Sequence, residues 1–183
     1  GFHCLVGNPP FLGGTRISTV FGMRYFQWLV QSFPPCEHLC DLIAYFFRRA
    51  FDLLLQDGAL GLIATNTISQ GDTREGGLRT ILRLGGYVYS AERRHRWPGP
   101  VSVVVSMVHI SKRVAREPVL LDGKPVSRIS AYLAEGDNDE SPARLPENPY
   151  FSLGSKIYGQ GFLFADEDPE CTPLAERDRI LAR

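Results

Sequence analysis

The residues best placed to do chemistry are Gly7-Asn8-Pro9-Pro10-Phe11, which directly follow a short apolar run, residues 2–6, that reads as a strand. Each proline fixes φ and neither has an N–H to continue a sheet ladder, so the strand must end in a rigid turn. That turn leaves the Asn8 amide and bare backbone carbonyls facing outward at the strand's carboxyl end. Acceptors held at such an edge suit a site for an exocyclic amino group. The same residues also suit a plain Pro-Pro turn with Phe11 in the core, and the choice between the two rests on the chain downstream.

A turn of this kind needs a sheet to hold it. Over residues 41–56, Ile43, Phe46, Phe47, Ala50, Phe51 and Leu54 recur at helical spacing, with Asp41 placed to cap the start and Gly58 to end it. The apolar run 59–65 then fits a strand buried on both faces, as parallel strands are. Before them, Gly13 and Gly14 predict a flexible loop over 12–16 that is free to take positive φ and close over a ligand. Phe21, Tyr25, Phe26, Trp28, Leu29 and Phe33 predict a helix ended by Pro34-Pro35, with its aromatic stripe in the core.

The pattern repeats downstream. Asp72 and Glu75 read as a capping pair for a helix over 73–84 closed by Gly85-Gly86, and residues 87–91 read as a strand. A basic loop, 92–100, carries Arg93, Arg94, Arg96 and Trp97. The strand expected over 101–111 is apolar on both faces and so belongs inside the sheet. With no helix between this strand and the one before it, the two must run antiparallel if they are neighbours.

The 183-residue chain has a formal net charge of zero, so any nucleic-acid contact must come from a local basic patch such as Arg93, Arg94 and Arg96, with Arg16 and Arg74 as further candidates. No apolar run approaches the ~18 residues of a membrane span and no leader is present, which predicts an intracellular protein with no membrane partner. Cys36, His38 and Cys40 lack a fourth ligand at a suitable spacing, so no metal is expected. The acidic stretch 135–149 reads as a solvated linker, and the Gly-containing stretch 151–164 starts something new. Because it enters a strand at its second residue, the chain reads as a segment of a longer protein.

Asn8-Pro9-Pro10-Phe11, Asp41-Leu42 with its aromatic-rich helix, the 59–66 run and Trp97-Pro98 before Val101-Ser102-Val103 resemble, in that order, the motifs of N6-adenine DNA methyltransferases that use S-adenosylmethionine. Residues 65–78 are similar to a subgroup of large bacterial enzymes of restriction or phage defence. The resemblance implies an α/β fold with a three-layer Rossmann-like methyltransferase sheet, mostly parallel with an antiparallel final strand, and here without its amino-terminal strands. It implies a catalytic part over 1–113, a connecting segment and linker over 114–149 and the start of a target-recognition domain over 150–183. The cofactor would be S-adenosylmethionine, the partner double-stranded DNA, and the setting the bacterial cytoplasm.

In that scheme Asn8 and the Pro9 carbonyl accept hydrogen bonds from N6, Pro10 stiffens the turn, and Phe11 and Trp97 stack on the flipped base. Arg93, Arg94 and Arg96 contact phosphates. Of the cofactor site, only the edge at Asn8 lies in this chain, because the family's glycine-rich loop and ribose-binding acid precede the Asn-Pro-Pro-Phe motif. Weak or absent cofactor binding by the chain alone, with the amino-terminal part of the same protein as its missing partner, follows from this. The other readings are an RNA-adenine or protein-glutamine methyltransferase, or a non-catalytic DNA-binding or scaffold segment of the same fold.

Overall fold

Between Leu53 and Leu54 the backbone passes from helix to strand without a loop. The computed structural model describes residues 1–37, 39–96, 104–140, 164, 166–167 and 171–182. The chain divides into two units, Gly1–Ser141 and Pro142–Arg183.

The first unit is built on a six-stranded sheet ordered β1-β2-β4-β3-β5-β6. Its strands are β1 Phe2–Gly7, β2 Leu54–Thr65, β3 Gly86–Arg96, β4 Val104–Lys112, β5 Leu120–Leu121 and β6 Lys124–Pro125. β1, β2, β3 and β5 point one way, while β4 and β6 oppose them. β4 is therefore an antiparallel strand inserted between β2 and β3, as its two apolar faces predict. Its described portion begins at Val104 because residues 101–103 lie outside the described residues.

Helices α1 Gly14–Phe21, α2 Met23–Ser32 and α3 Leu42–Leu53 precede β2. After it comes a 3-10 turn, Asn66–Ser69. A continuous helical run then comprises α4 Gly71–Arg74, a π-helical turn Glu75–Arg79 and α5 Thr80–Arg83. Ile43, Phe47 and Phe51 of α3, with Ile68, Leu78 and Ile81, share one core with Leu60 and Leu62 of β2 and Val108 and Ile110 of β4. Burying side chains of this size stabilises the fold by about 1.5–3 kcal/mol each. On the alternate strand positions Cys4 and Val6 are exposed, and Met107 and His109 are half-buried. The His109 ring lies across β2 because residue 61 is glycine: a Cβ there would sit 2.7 Å from His109 Cδ2. No helix among the described residues is long and apolar enough to cross a membrane.

Several expectations need correction. The helix expected over 41–56 stops at Leu53, and Gly58 lies inside β2, so the helical spacing of Leu54 reflects its place in the same core. Asp41 sits at the N-cap position but makes no side-chain cap bond. The stretch 12–16 is not a free loop, since α1 begins at Gly14 and Gly13 has an ordinary φ of −63°. Gly14 is required by space: a Cβ would lie 2.6 Å from the Leu39 carbonyl carbon and 2.7 Å from Cys40 O.

The aromatic stripe over 21–33 divides between the end of α1, α2 and its C-cap residue. Phe26, Leu29 and Phe33 are buried, whereas Phe21, Tyr25 and Trp28 are exposed and pack on one another along the surface. Asp72 and Glu75 form no capping pair. Gln70 is the N-cap residue of α4, and Glu75 instead accepts a 2.6 Å bond from Arg79 Nη1. In its described part, 92–96, the basic loop is the end of β3, where His95 and Arg96 pair with Val105 and Val104.

The first unit extends through the segment read as a connection. β5 and β6 lie there, and Ile129, Ala131 and Leu133 are fully buried in the main core. In the second unit the described residues include α6 Leu174–Leu181, whose first backbone N–H donates to Asp166 Oδ1 at 2.9 Å, and a parallel bridge between Phe164 and Thr172.

Candidate active site

β1, β2 and β3 point the same way, so the residues that follow or end them collect at one edge of the sheet: Asn8 after β1, Asn66 after β2 and Arg93, Arg94 and Arg96 at the end of β3. The carboxyl edge of an α/β sheet is where such folds hold ligands. Asn8 is exposed, and its side chain and the Pro9 carbonyl make no hydrogen bond with another described residue. Phe11 is 38% exposed, so it is not the core residue that a plain Pro-Pro turn would require. The sequence therefore leaves two acceptors and an aromatic face without a partner among the described residues at the carboxyl end of β1.

The turn is held on its downstream side. Leu12 O accepts a bond from Leu42 N at 2.9 Å, and Gly14 N donates to Asp41 Oδ1 at 2.9 Å. Asp41 Oδ2 accepts from the Thr67 hydroxyl at 2.6 Å, and Asp41 N donates to Thr73 Oγ1 at 3.0 Å. One residue thus ties the loop after Asn8 to the ends of β2 and α4. Sequence reading placed Asp41 as a helix cap; its partners lie 26 and 27 residues away, beyond any local motif.

The arginines differ in their surroundings. Arg93 is engaged with Asp122, donating from its backbone N–H, Nε and Nη2 at 2.7, 2.9 and 2.7 Å. Burial of the Asp122 carboxyl works against ionisation, but the Arg93 hydrogen bonds, with the charges of Arg93 and Lys124, outweigh it and hold its pKa below the usual aspartate value. Arg94 and Arg96 are exposed, and their side chains make no hydrogen bond or ion pair with another described residue. Arg74, a candidate phosphate ligand, is buried. Its guanidinium lies 4.0 Å from the Tyr132 ring centroid and donates to Asp139 O. Trp97 lies outside the described residues, as does His38.

Cys36 and Cys40 are both buried and share a hydrogen bond. That bond and burial push the Cys40 thiol up, while accepting it holds Cys36 below its ordinary value against burial, with help from the Arg48 charge.

The strand order and directions, with β4 inserted antiparallel, define a mixed α/β sheet of the Rossmann-like methyltransferase type. Residues 1–83 match the family described as Eco57I restriction-modification methylase. Among solved structures the chain is similar to the Type IIL restriction-modification enzyme MmeI, determined in complex with DNA. The identity is 22% and the TM-score 0.64, over 98% of this chain and 25% of that one. The chain thus spans about a quarter of that enzyme's length. No curated protein matches the chain.

Proposed function

We propose that this chain is part of a restriction-modification DNA methyltransferase that methylates N6 of adenine. The family match over residues 1–83 and the likeness to MmeI support a restriction-modification methylase. The observation that carries the finer reading is the Asn8 amide, without a hydrogen-bond partner among the described residues, beside two prolines and the exposed Phe11, at the carboxyl end of β1. S-adenosylmethionine, when bound, supplies an electrophilic methyl group. The Asn8 amide, which has no partner among the described residues, fits one edge of that group, and in the proposed reading the rest of its site lies on elements outside this chain.

Adenine N6 is a poor nucleophile because its lone pair is delocalised into the ring. Asn8 Oδ1 and the Pro9 carbonyl each accept one N6 hydrogen, which holds the nitrogen nearer a tetrahedral form and aims its lone pair out of the ring plane. Pro10 keeps both acceptors rigid. The base reaches them only after leaving the duplex. Phe11 stacks on one of its faces and Trp97 covers the other. Residues 150–183 open a target-recognition domain in this reading, and the setting is the bacterial cytoplasm.

The test is tritiated methyl transfer by the full-length protein, with duplex DNA, RNA and a glutamine peptide as competing acceptors and nucleoside digestion to identify the product. N6-methyladenine from DNA is expected. Asn8→Ala should lower the rate by at least about 100-fold with an unchanged melting temperature. Activity within a few fold of the parent would remove Asn8 from the mechanism, and a labelled peptide or RNA would move the reading to the corresponding methyltransferase.

A further inference from the structure

We propose that a polar pocket on the same sheet edge as Asn8 seats a phosphodiester of the DNA strand that carries the target nucleotide; this rests on the DNA-methyltransferase reading above. The pocket has a volume of about 240 Å³ and is lined by Asn66, Ser69, Gln70, Arg94, Ser106 and Tyr132, with Arg93 closing one side. No carboxylate is among its described lining residues.

The donors it turns towards a ligand are the Asn66 amide and Arg94, because the serine hydroxyl protons are already committed within the protein. The Ser106 hydroxyl donates to Asn66 Oδ1 at 3.1 Å and the Ser69 hydroxyl to the Asn66 backbone O at 3.1 Å. With its oxygen occupied, the Asn66 amide presents its NH2 group. Arg94 adds a guanidinium with no partner among the described residues. The walls are fixed: Tyr132 donates its hydroxyl to Glu140 O at 2.9 Å and is stacked under Arg74, while Arg93 is clamped by Asp122.

Arg94 is re-aimed by a bulge. Glu92 pairs with Met107 and His95 with Val105, so β3 carries one residue more than β4 across this interval. Arg94 takes a φ of 56°, a conformation costly for a non-glycine side chain. Bulges next to sites turn side chains out of the alternating pattern. Here the result separates two adjacent arginines, one committed to Asp122 and one without a partner among the described residues.

A flipped base would need apolar or aromatic walls, whereas this pocket offers donors and a single covered ring. A compact anion with several acceptor oxygens matches it, and the strand backbone beside a base held at Asn8 is such a group.

The experiment measures binding of labelled duplex to the full-length protein from about 50 to about 200 mM salt. Arg94→Gln should weaken binding to every sequence alike and reduce the slope of log affinity against log salt by about one. Asn66→Asp, which keeps the shape and places a carboxylate in the pocket, should weaken binding more than Asn66→Ala does. Arg49→Gln, on the exposed side of α3, removes the same charge and should leave the slope unchanged.

An unchanged slope for Arg94→Gln, or wild-type affinity for Asn66→Asp, would overturn the pocket assignment while leaving the methyltransferase reading standing. A wild-type protein that bound no duplex would overturn both. Inorganic phosphate at matched ionic strength separates the remaining source. If it raises the melting temperature of the parent but not of Arg94→Gln, with an unchanged DNA slope, the pocket belongs to free phosphate and the strand assignment falls.

Discussion

Asp41 Oδ2 accepts a 2.6 Å hydrogen bond from the hydroxyl of Thr67. That bond uses the only proton Thr67 Oγ1 carries, so in the 2.7 Å contact between Thr65 and Thr67 the Thr65 hydroxyl must be the donor. With Gly14 N on its other oxygen, the carboxylate joins the end of β2 to the start of α1. A hydrogen bond to a charged group contributes about 1.5–3 kcal/mol net of the exchange with water. Asp41→Ala should therefore lower unfolding free energy by about 2 kcal/mol or more and slow methyl transfer by loosening the Asn8 turn. Asp41→Asn should cost less, because its oxygen still accepts from Gly14 and its NH2 can donate to Thr67. Urea denaturation of both variants checks the order, and equal stability of Asp41→Ala and parent would show that the bridge carries nothing.

Gly14 and Gly13 make a matched pair for a second test. A methyl at Gly14 meets backbone atoms at 2.6 and 2.7 Å, whereas at Gly13 the nearest heavy atom is Asp41 Oδ1 at 3.7 Å. Gly14→Ala should lower stability by about 1–3 kcal/mol through forced backbone movement, and Gly13→Ala should lie within about 0.5 kcal/mol of the parent. Comparable thermal melts for the two would contradict the close approach of α1 to residues 39–40.

For Trp97 the expected effect is on the extruded base. Stacking on an aromatic contributes about 1–3 kcal/mol per base, so Trp97→Ala in the full-length protein should reduce the brightening of 2-aminopurine at the target position and weaken the complex. The same brightening and affinity in variant and parent would make Trp97 a packing residue.

The Arg93–Asp122 pair predicts a pH dependence of stability. The folded pKa of Asp122 lies below its ordinary value, so the stabilisation is present at neutral pH, begins to fade as pH falls past about 4 and is lost as pH passes down through the folded pKa. Both side chains are more than a third exposed, which keeps the effect small. Asp122→Asn should melt below the parent at pH 7, with the gap closing towards pH ~3. A gap that stays constant over that range would mean the carboxylate charge contributes nothing.

Much of the architecture was legible because buried strands and a continuous helical face write their periods into the sequence. The 59–65 run, the Ile43-Phe47-Phe51 face and the apolar 104–110 strand all lie where their patterns placed them. The inner place of β4 and its antiparallel pairing with β3 also followed from its two apolar faces and its short connection to β3. What escaped was set by long-range geometry. Asp41 looks like a cap because capping residues and bridging carboxylates are the same residue type, and only the fold brings Thr67 to it. Asn66, Ser106 and Tyr132 meet in one pocket from three separate segments, and nothing in their local sequence marks them. Arg94 read as part of a basic loop because a bulge with a charged residue at positive φ has no sequence signature comparable to Asn-Gly.

The place of β4 also bears on the order in which the chain can fold during synthesis. β2 and β3 never pair with each other, and every contact between their ladders passes through residues 104–112. As the chain leaves the ribosome, β1 and β2 can zip together once β2 emerges, but the other edge of β2 stays open while the helices and β3 are made. β3 meanwhile has no strand to join. An edge carrying Leu60, Leu62 and Ile63 with its backbone groups unpaired is a template for any passing strand. Translation paused between residues 65 and 104 would thus hold the protein at its most aggregation-prone length, and a holdase chaperone would be engaged there and released when β4 closes the sheet.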